Sequence, residues 1–144
     1  MPAAYDPNNI FGKILRGEIP AHKIYEDDVV LAFMDIMPRT EGHALVIPKE
    51  GARTLLDVSP ATLAELIKRV QHIAKALQTA FQCDGLTLHQ FNESAGGQVI
   101  YHLHFHLLPR WDGVSLRPAG TMGDNDKLAE QAERIKAALT PFVG

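Results

Sequence analysis

The chain has 144 residues, of which 46% are hydrophobic and 22% are charged, and its formal net charge is −3. This length is typical of one domain that buries roughly two thirds of its unfolded surface. No stretch approaches the ~18 consecutive apolar residues of a membrane span, and no run of Lys or Arg marks a nucleic-acid-binding surface. The composition therefore predicts a soluble globular protein with no membrane or nucleic-acid partner.

The N-terminus and the cysteine content bear on location. The first residues, Met1 to Asp6, contain no basic region followed by an apolar run, so they predict no secretion signal. The single cysteine, Cys83, excludes an internal disulfide and is compatible with a reducing compartment. We therefore expect a cytoplasmic protein.

The first third of the chain predicts a short helix followed by three strands. Asn8 or Asn9 is a suitable N-cap, and Gly17 is a typical helix stop. The second strand is apolar on both faces, so it is expected to be central in a sheet and to present Asp35 at its end. The predicted elements are a helix ending at Leu15 or Arg16 and strands at 22–26, 29–35 and 43–48.

The rest of the chain predicts two helices and two more strands. Ser59 caps and Pro60 opens a long helix that reaches about Phe81. Its apolar stripe has helical spacing and consists of Leu63, Leu66, Ile67, Val70, Ile73, Ala74 and Leu77. His72 lies off this stripe and is expected to face solvent. The remaining predictions are a strand at 86–91, a strand at 101–110, a loop at 112–125 and an amphipathic helix at 126–139.

The strand predicted at 101–110 contains three alternating histidines. Side chains on a strand point to opposite faces in turn, so His102, His104 and His106 share one face. The other face carries apolar side chains, namely Leu103, Phe105 and Leu107. Three adjacent imidazoles repel one another once two are protonated, so the pattern indicates chemistry instead of stability. A neutral imidazole can act as a nucleophile, a metal ligand or a proton donor.

A polar loop with paired glycines precedes the histidines. Gly96 and Gly97 allow backbone N–H groups to approach a ligand, and such turns can cradle an anion. Paired glycines more often only mark a hairpin, so the signal gains weight from its position beside the histidines.

The histidine run resembles the motif of the histidine-triad (HIT) family of nucleotide hydrolases and transferases. Further segments resemble the same family in the same order and extend the resemblance over about residues 9–110. These segments are Ile10–Ile14, Glu18–Pro20, Tyr25–Asp28, Ala32–Ile36, Gly42–His43, Val46–Pro48 and Asn92–Gln98.

The resemblance implies an α+β fold in which a long helix packs on a mostly antiparallel five-stranded sheet, usually in a homodimer. It implies one HIT-like domain over 1–144, with a core at 9–110 and a C-terminal extension at 111–144. The implied chemistry is attack on the α-phosphorus of a purine nucleotide conjugate, with hydrolysis of a nucleotidyl-histidine intermediate by water.

The resemblance also implies roles for individual residues. His104 resembles the nucleophile, and the backbone carbonyl near His102 would hold its second ring proton. His43 and His106 would contact the phosphate oxygens and the leaving group. The implied substrate contacts are Asp35 with the ribose, Ile36 and Phe11 near the base, and Asn92, Gly97, Gln98 and Val99 near the phosphate.

Two departures from the family pattern affect these expectations. Some members carry a Cys-x-x-Cys that joins histidines in a zinc site, whereas the corresponding positions here are Asn9 and Gly12. We therefore expect neither a structural zinc nor another cofactor. Val99 stands where the family often has Ser or Thr, which predicts a changed rate or substrate preference and not a loss of activity.

Several alternatives remain open at this point. A metal centre would use His102 and His104, or His104 and His106, together with His43. A non-catalytic nucleotide sensor would use the same pocket without turnover. The end of the motif, Leu108–Arg110, favours a dinucleoside polyphosphate hydrolase, whereas the opening at Ile10–Pro20 favours a phosphoramidase, which we slightly prefer. His22 and His89 have no predicted function.

Overall fold

A five-stranded antiparallel sheet forms the centre of the molecule. The computed structural model describes residues 3–144. Met1 and Pro2, which belong to the stretch predicted to contain no secretion signal, lie outside the described residues. The strands are β1 (Lys23–Glu26), β2 (Val30–Met34), β3 (Ala44–Pro48), β4 (Gly85–His89) and β5 (Phe105–Arg110). Their order in the sheet is β1-β2-β3-β5-β4, and every neighbouring pair is antiparallel. The predicted α+β fold is confirmed.

Within residues 3–144 three α-helices accompany the sheet, namely α1 (Ile10–Leu15), α2 (Pro60–Phe81) and α3 (Asn125–Ala138). The predicted caps are present, since the Asn9 side chain accepts a hydrogen bond from Gly12 N and that of Ser59 accepts one from Thr62 N. Ile67, predicted in the buried stripe of α2, is instead exposed. None of the helices within residues 3–144 is long and apolar enough to cross a membrane.

The two faces of the sheet are both covered. The larger core contains Leu103, Phe105 and Leu107 and is packed by α2 and α3, which brings the C-terminal extension onto the same core. The opposite face has a smaller core under α1, formed by Phe11, Ile14, Leu31, Phe33, Leu45 and Ile47. The alternation predicted from the histidine run therefore holds, because its apolar members all enter the larger core.

The strand predicted at 101–110 is shorter than expected, since β5 begins only at Phe105. Its pairing with β3 ends at Val46 and Phe105. Beyond this point the Pro48 carbonyl bonds the His102 ring, and Leu103 N donates to Ala52 O. Before Phe105, hydrogen bonds from the His102 side chain and to the loop at Ala52 thus replace the backbone pairing between strands. The strand predicted at 86–91 is likewise displaced to Gly85–His89.

The prediction for His72 is wrong. Its ring lies between Tyr25 and Phe142, with ring centroids 5.7 and 5.3 Å away. Its Nε2 is buried and has no hydrogen-bond partner within residues 3–144. The physical reason is that Phe142, beyond α3, returns to cover this part of α2.

Candidate active site

The pairing of three neighbouring strands brings an acid and two histidines together. Met34 pairs with Ala44, and Ala44 pairs with Leu107, so the end of β2, the start of β3 and the middle of β5 lie side by side. Asp35 follows β2 and donates its backbone N–H to His43 O, 3.0 Å away. The register of the sheet therefore places Asp35 and His43 beside the histidine run.

His104 holds one ring proton against the backbone. Its Nδ1 lies 2.6 Å from His102 O. A carbonyl oxygen can only accept, so Nδ1 carries the proton and Nε2 of the neutral ring is left with a free lone pair. His104 is only 7% exposed, and burial lowers the pKa of its imidazole below the usual value. The ring is therefore neutral at pH 7 and has one nucleophilic nitrogen.

His102 is fixed at both ring nitrogens. Its Nε2 lies 2.8 Å from Pro48 O and must donate, so its Nδ1 is an acceptor. The Tyr5 hydroxyl donates to that Nδ1 across 2.8 Å. The ring is fully buried, and burial lowers its pKa. These two bonds hold the His102 ring in place, and its backbone carbonyl accepts from His104. The role of His102 in the reaction stays a prediction.

His43 and His106 bond to each other. Arg39 N donates to His43 Nδ1 at 3.0 Å, so the ring proton of His43 is on Nε2. That nitrogen lies 3.0 Å from His106 Nδ1, which must accept. Burial and the neighbouring charges lower the pKa of His43 to about 4 and that of His106 to about 3. Both rings are neutral at pH 7, and His106 carries its proton on Nε2, available as a donor.

Asp35 lies against this second pair. Its Oδ1 accepts from Met37 N at 2.8 Å, and its Oδ2 is 3.4 Å from His43 Nε2 and 3.8 Å from His106 Nδ1. Burial raises its pKa to about 6. The carboxylate is therefore ionised at neutral pH but close to titration, and its Oδ2 lies beside the N–H group that His43 donates to His106.

One cluster has the composition of a metal site. Atoms of Asp35, His43 and His106 lie within 4.8 Å of one another. A histidine that binds a metal usually donates its other ring N–H to a carbonyl or carboxylate. His43 does the reverse, because its Nδ1 accepts from Arg39 N, which keeps the proton on the nitrogen that a metal would need. The donor set does not fit a metal ion, and we derive no step through one.

The paired-glycine loop uses most of its own N–H groups. Gly96 N and Gln98 N donate to Glu93 O, and Gly97 N donates to Ser94 O. These bonds contradict the expectation that the three N–H groups bind an anion. The N–H group of the exposed Val99 has no protein acceptor within residues 3–144, so it remains available to a ligand. Gly97 has φ +97°, so its glycine identity serves the turn.

Gln98 and Asn92 fasten this loop to its neighbours. The Gln98 amide accepts from Glu93 N at 2.7 Å and donates to Arg53 O and Ile100 O at 2.8 and 3.0 Å. Asn92 accepts from Leu55 N at 2.8 Å. A contact of the Gln98 nitrogen with substrate requires one of these bonds to break, so the phosphate contacts of both residues stay predictions.

The two residues predicted near the base lie in different environments. Phe11 is only 5% exposed and packs edge-on against His104, with ring centroids 5.0 Å apart. In this structure Phe11 therefore packs against the His104 ring instead of being exposed to a base. Ile36 is exposed beside Asp35 and is free to contact a base. Its role stays a prediction.

Sequence reasoning missed three neighbours of the histidines. Tyr5 and Arg39 act on His102 and His43, as described above. His89, predicted to have no function, pairs with His106 across β4 and β5, with ring centroids 6.5 Å apart. Only His89 had a sequence signal, since it lies in the strand predicted at 86–91, which leads through the glycine loop into the histidine run.

Comparison with known proteins agrees with this arrangement. The family model described as HIT domain matches residues 16–113, which include all four histidines of the site. The chain belongs to the HIT domain family. A solved Hit-like protein from Bartonella henselae, described as involved in cell-cycle regulation, is 55% identical to this HIT protein. The likeness covers 95% of this chain and 100% of that one, with a TM-score of 0.92.

The curated relatives with named activities include a yeast protein and a plant protein. Adenosine 5'-monophosphoramidase HNT1 of Saccharomyces cerevisiae is 36% identical over 141 residues, which cover 96% of this HIT protein and 87% of the relative. Adenylylsulfatase HINT3 of Arabidopsis thaliana is 40% identical over 114 residues, which cover 75% of this chain but only 58% of the plant protein. Both names describe reactions of an adenylyl group, so family membership supports a hydrolase that acts on nucleotide-linked compounds.

Proposed function

We propose that this HIT protein hydrolyses adenylylated compounds at the α-phosphate, with His104 as the nucleophile. The observation that carries the proposal is the 2.6 Å contact between His104 Nδ1 and His102 O. Because the carbonyl fixes the proton on Nδ1, Nε2 of a buried neutral ring is available for attack on phosphorus. The single difficult displacement is thereby divided into two easier ones.

The two displacements balance without a cofactor. In the first, the His104 Nε2 lone pair forms a bond to the α-phosphorus while the bond from phosphorus to the leaving group breaks. The His106 Nε2–H group stabilises charge on the departing atom, which takes its proton from water. In the second, water attacks phosphorus, the bond to His104 breaks, and the electron pair returns to Nε2. The attacking water gives up a proton, which neutralises the hydroxide left by the first displacement, and the purine nucleoside monophosphate is released.

Among possible leaving groups we favour amines. The yeast phosphoramidase relative aligns over nearly the whole of both chains, which supports this choice over a dinucleoside polyphosphate. A panel of adenosine 5'-monophosphoramidate, adenosine 5'-phosphosulfate and diadenosine tetraphosphate tests it by kcat/KM. We expect the phosphoramidate to be the best substrate by at least about tenfold. A preference for the tetraphosphate would refute the phosphoramidase assignment, and the His104→Ala variant controls for contaminating activity.

The homodimer and the cytoplasmic location are further proposals. The outer strand β4 exposes Leu86 and Leu88, and a second copy pairing along this strand would cover both side chains. Sedimentation of the wild type and of Leu88→Lys tests the dimer. We expect a dimer that the lysine weakens, whereas a monomeric wild type at working concentrations would contradict the proposal.

A further inference from the structure

We infer that Tyr5 is a positioning residue for the nucleophile and acts through His102. This inference rests on the function proposed above for its catalytic readout. Tyr5 lies outside residues 16–113, which match the HIT domain. Its hydroxyl nevertheless lies 2.8 Å from His102 Nδ1, and its ring packs edge-on against the imidazole with centroids 5.4 Å apart.

Two glycines make room for the segment that carries Tyr5. A Cβ atom added to Gly51 would lie 2.7 Å from Tyr5 Cε2, which is closer than real contacts allow. A Cβ atom added to Gly12 would lie 2.5 Å from Pro7 O. The Arg16 guanidinium also donates to Pro7 O at 2.8 Å. The segment from Tyr5 to Pro7 is therefore seated by the surrounding backbone and not loosely attached.

Tyr5 satisfies the last polar atom of a buried ring. With Nε2 of His102 donating to Pro48 O, only a donor can pair with Nδ1, and the Tyr5 O–H group is that donor. Without the hydroxyl, a fully buried acceptor would be left unpaired, which is costly in a protein interior. The His102 ring would then move towards another donor.

Movement of His102 would alter the nucleophile through the hydrogen bond between His102 O and His104 Nδ1. The backbone oxygen of His102 holds the Nδ1 proton of His104, so the orientation of that carbonyl decides which nitrogen of His104 is free. The Tyr5 hydroxyl on Nδ1 and the Pro48 carbonyl on Nε2 together set the orientation of His102.

The test compares two tyrosine variants that each lose one hydrogen bond. Tyr5→Phe removes the donor to His102, whereas Tyr25→Phe removes a 2.7 Å bond to Asp27 in the β1–β2 turn, a bond that involves none of His43, His102, His104 and His106. We expect Tyr5→Phe to lower kcat about tenfold with KM changed less than about twofold. Tyr25→Phe is expected to lower stability while kcat stays at the wild-type value.

Imidazole nitrogen-15 spectra give a readout that does not depend on turnover. In the wild type we expect His102 protonated on Nε2 and His104 protonated on Nδ1. In Tyr5→Phe the His102 signals should shift and part of the His104 population should move its proton to Nε2. If the wild type turns over no adenylylated substrate, the proposed function fails while these spectra still decide the role of Tyr5.

A second variant displaces the tyrosine without altering it. Gly51→Ala should lower kcat as Tyr5→Phe does, because the added methyl group pushes on the Tyr5 ring. In a Tyr5→Ala background the same alanine should cost no further activity. The inference is overturned if Tyr5→Phe keeps kcat within about twofold of the wild type and leaves the His104 ring signals unchanged. It is equally overturned if Gly51→Ala lowers kcat by the same factor in both backgrounds.

Discussion

The site contains two pairs of histidines, three of them buried and His106 partly buried, whose ring protons are held in different ways. In the inner pair, His102 and His104 each donate to a backbone carbonyl, so their protons are fixed by the fold. In the outer pair, His43 donates to His106 and lies beside Asp35. The backbone leaves a permanently free nitrogen on His104, whereas side-chain partners leave a donor on His106. The same residue type therefore supplies a nucleophile in one pair and an N–H donor in the other.

The largest expected effect comes from removing the inner nucleophile. His104→Ala should lower kcat by at least about 10⁴-fold, because the two-step route disappears. Binding of AMP, measured by calorimetry, should change little since the other contacts remain. His102→Ala keeps the backbone carbonyl and should reduce kcat less. A larger loss for His102→Ala would mean that the two roles are exchanged.

A smaller effect is expected when the outer donor is removed. His106→Asn should lower kcat about 100- to 1,000-fold for substrates with an alkylamine leaving group. Substrates with an arylamine leaving group should be affected less, because their departing nitrogen needs less stabilisation. Steady-state kinetics of both series on the variant checks this difference. Equal losses for the two leaving groups would place His106 elsewhere in the reaction.

The smallest effect concerns stability and comes from the acid beside the outer pair. The pKa of Asp35 is about 6 in the folded protein against 3.8 for the unperturbed group. The folded state therefore binds its proton more tightly, so the stability of the fold decreases as the pH rises from about 4 to about 6 and stays at the lower level above pH 6. Asp35→Asn should raise the free energy of unfolding at pH 7.5 by up to about 3 kcal/mol.

This stability gain has a defined pH range. It should shrink as the pH falls from 6 towards 4, because Asp35 is then protonated in the folded state and progressively in the unfolded state. Urea denaturation of the wild type and of Asp35→Asn at several pH values measures it. A gain that stays constant down to pH 4 would show that the buried charge is not its cause.

Most elements were predictable because their ends are encoded locally. Asn9, Ser59 and Pro60 mark helix starts with their own side chains, and the apolar run of β2 is readable as a central strand. The alternation of the triad also predicted correctly which face carries the histidines. These features depend on neighbours within a few positions, which a single sequence displays.

Features that depend on distant contacts were not predictable. The bond from Tyr5 to His102 spans 97 positions, and the cover that Phe142 gives His72 comes from beyond the last helix. Nothing local to Tyr5 or His72 indicates these partners. The prediction that the loop glycines bind an anion failed for a related reason. Gly96 and Gly97 donate their N–H groups within the loop, and these bonds depend on its folded shape.

The most direct test of the account is the identity of the residue that becomes adenylylated during turnover. The wild-type protein is mixed briefly with adenosine 5'-monophosphoramidate, quenched in base to preserve a phosphorus–nitrogen bond, digested and analysed by mass spectrometry. The account predicts an adenylyl group on His104 that forms and decays at rates compatible with kcat. Turnover with no adduct at His104, or with an adduct on His43 or His106, would contradict it.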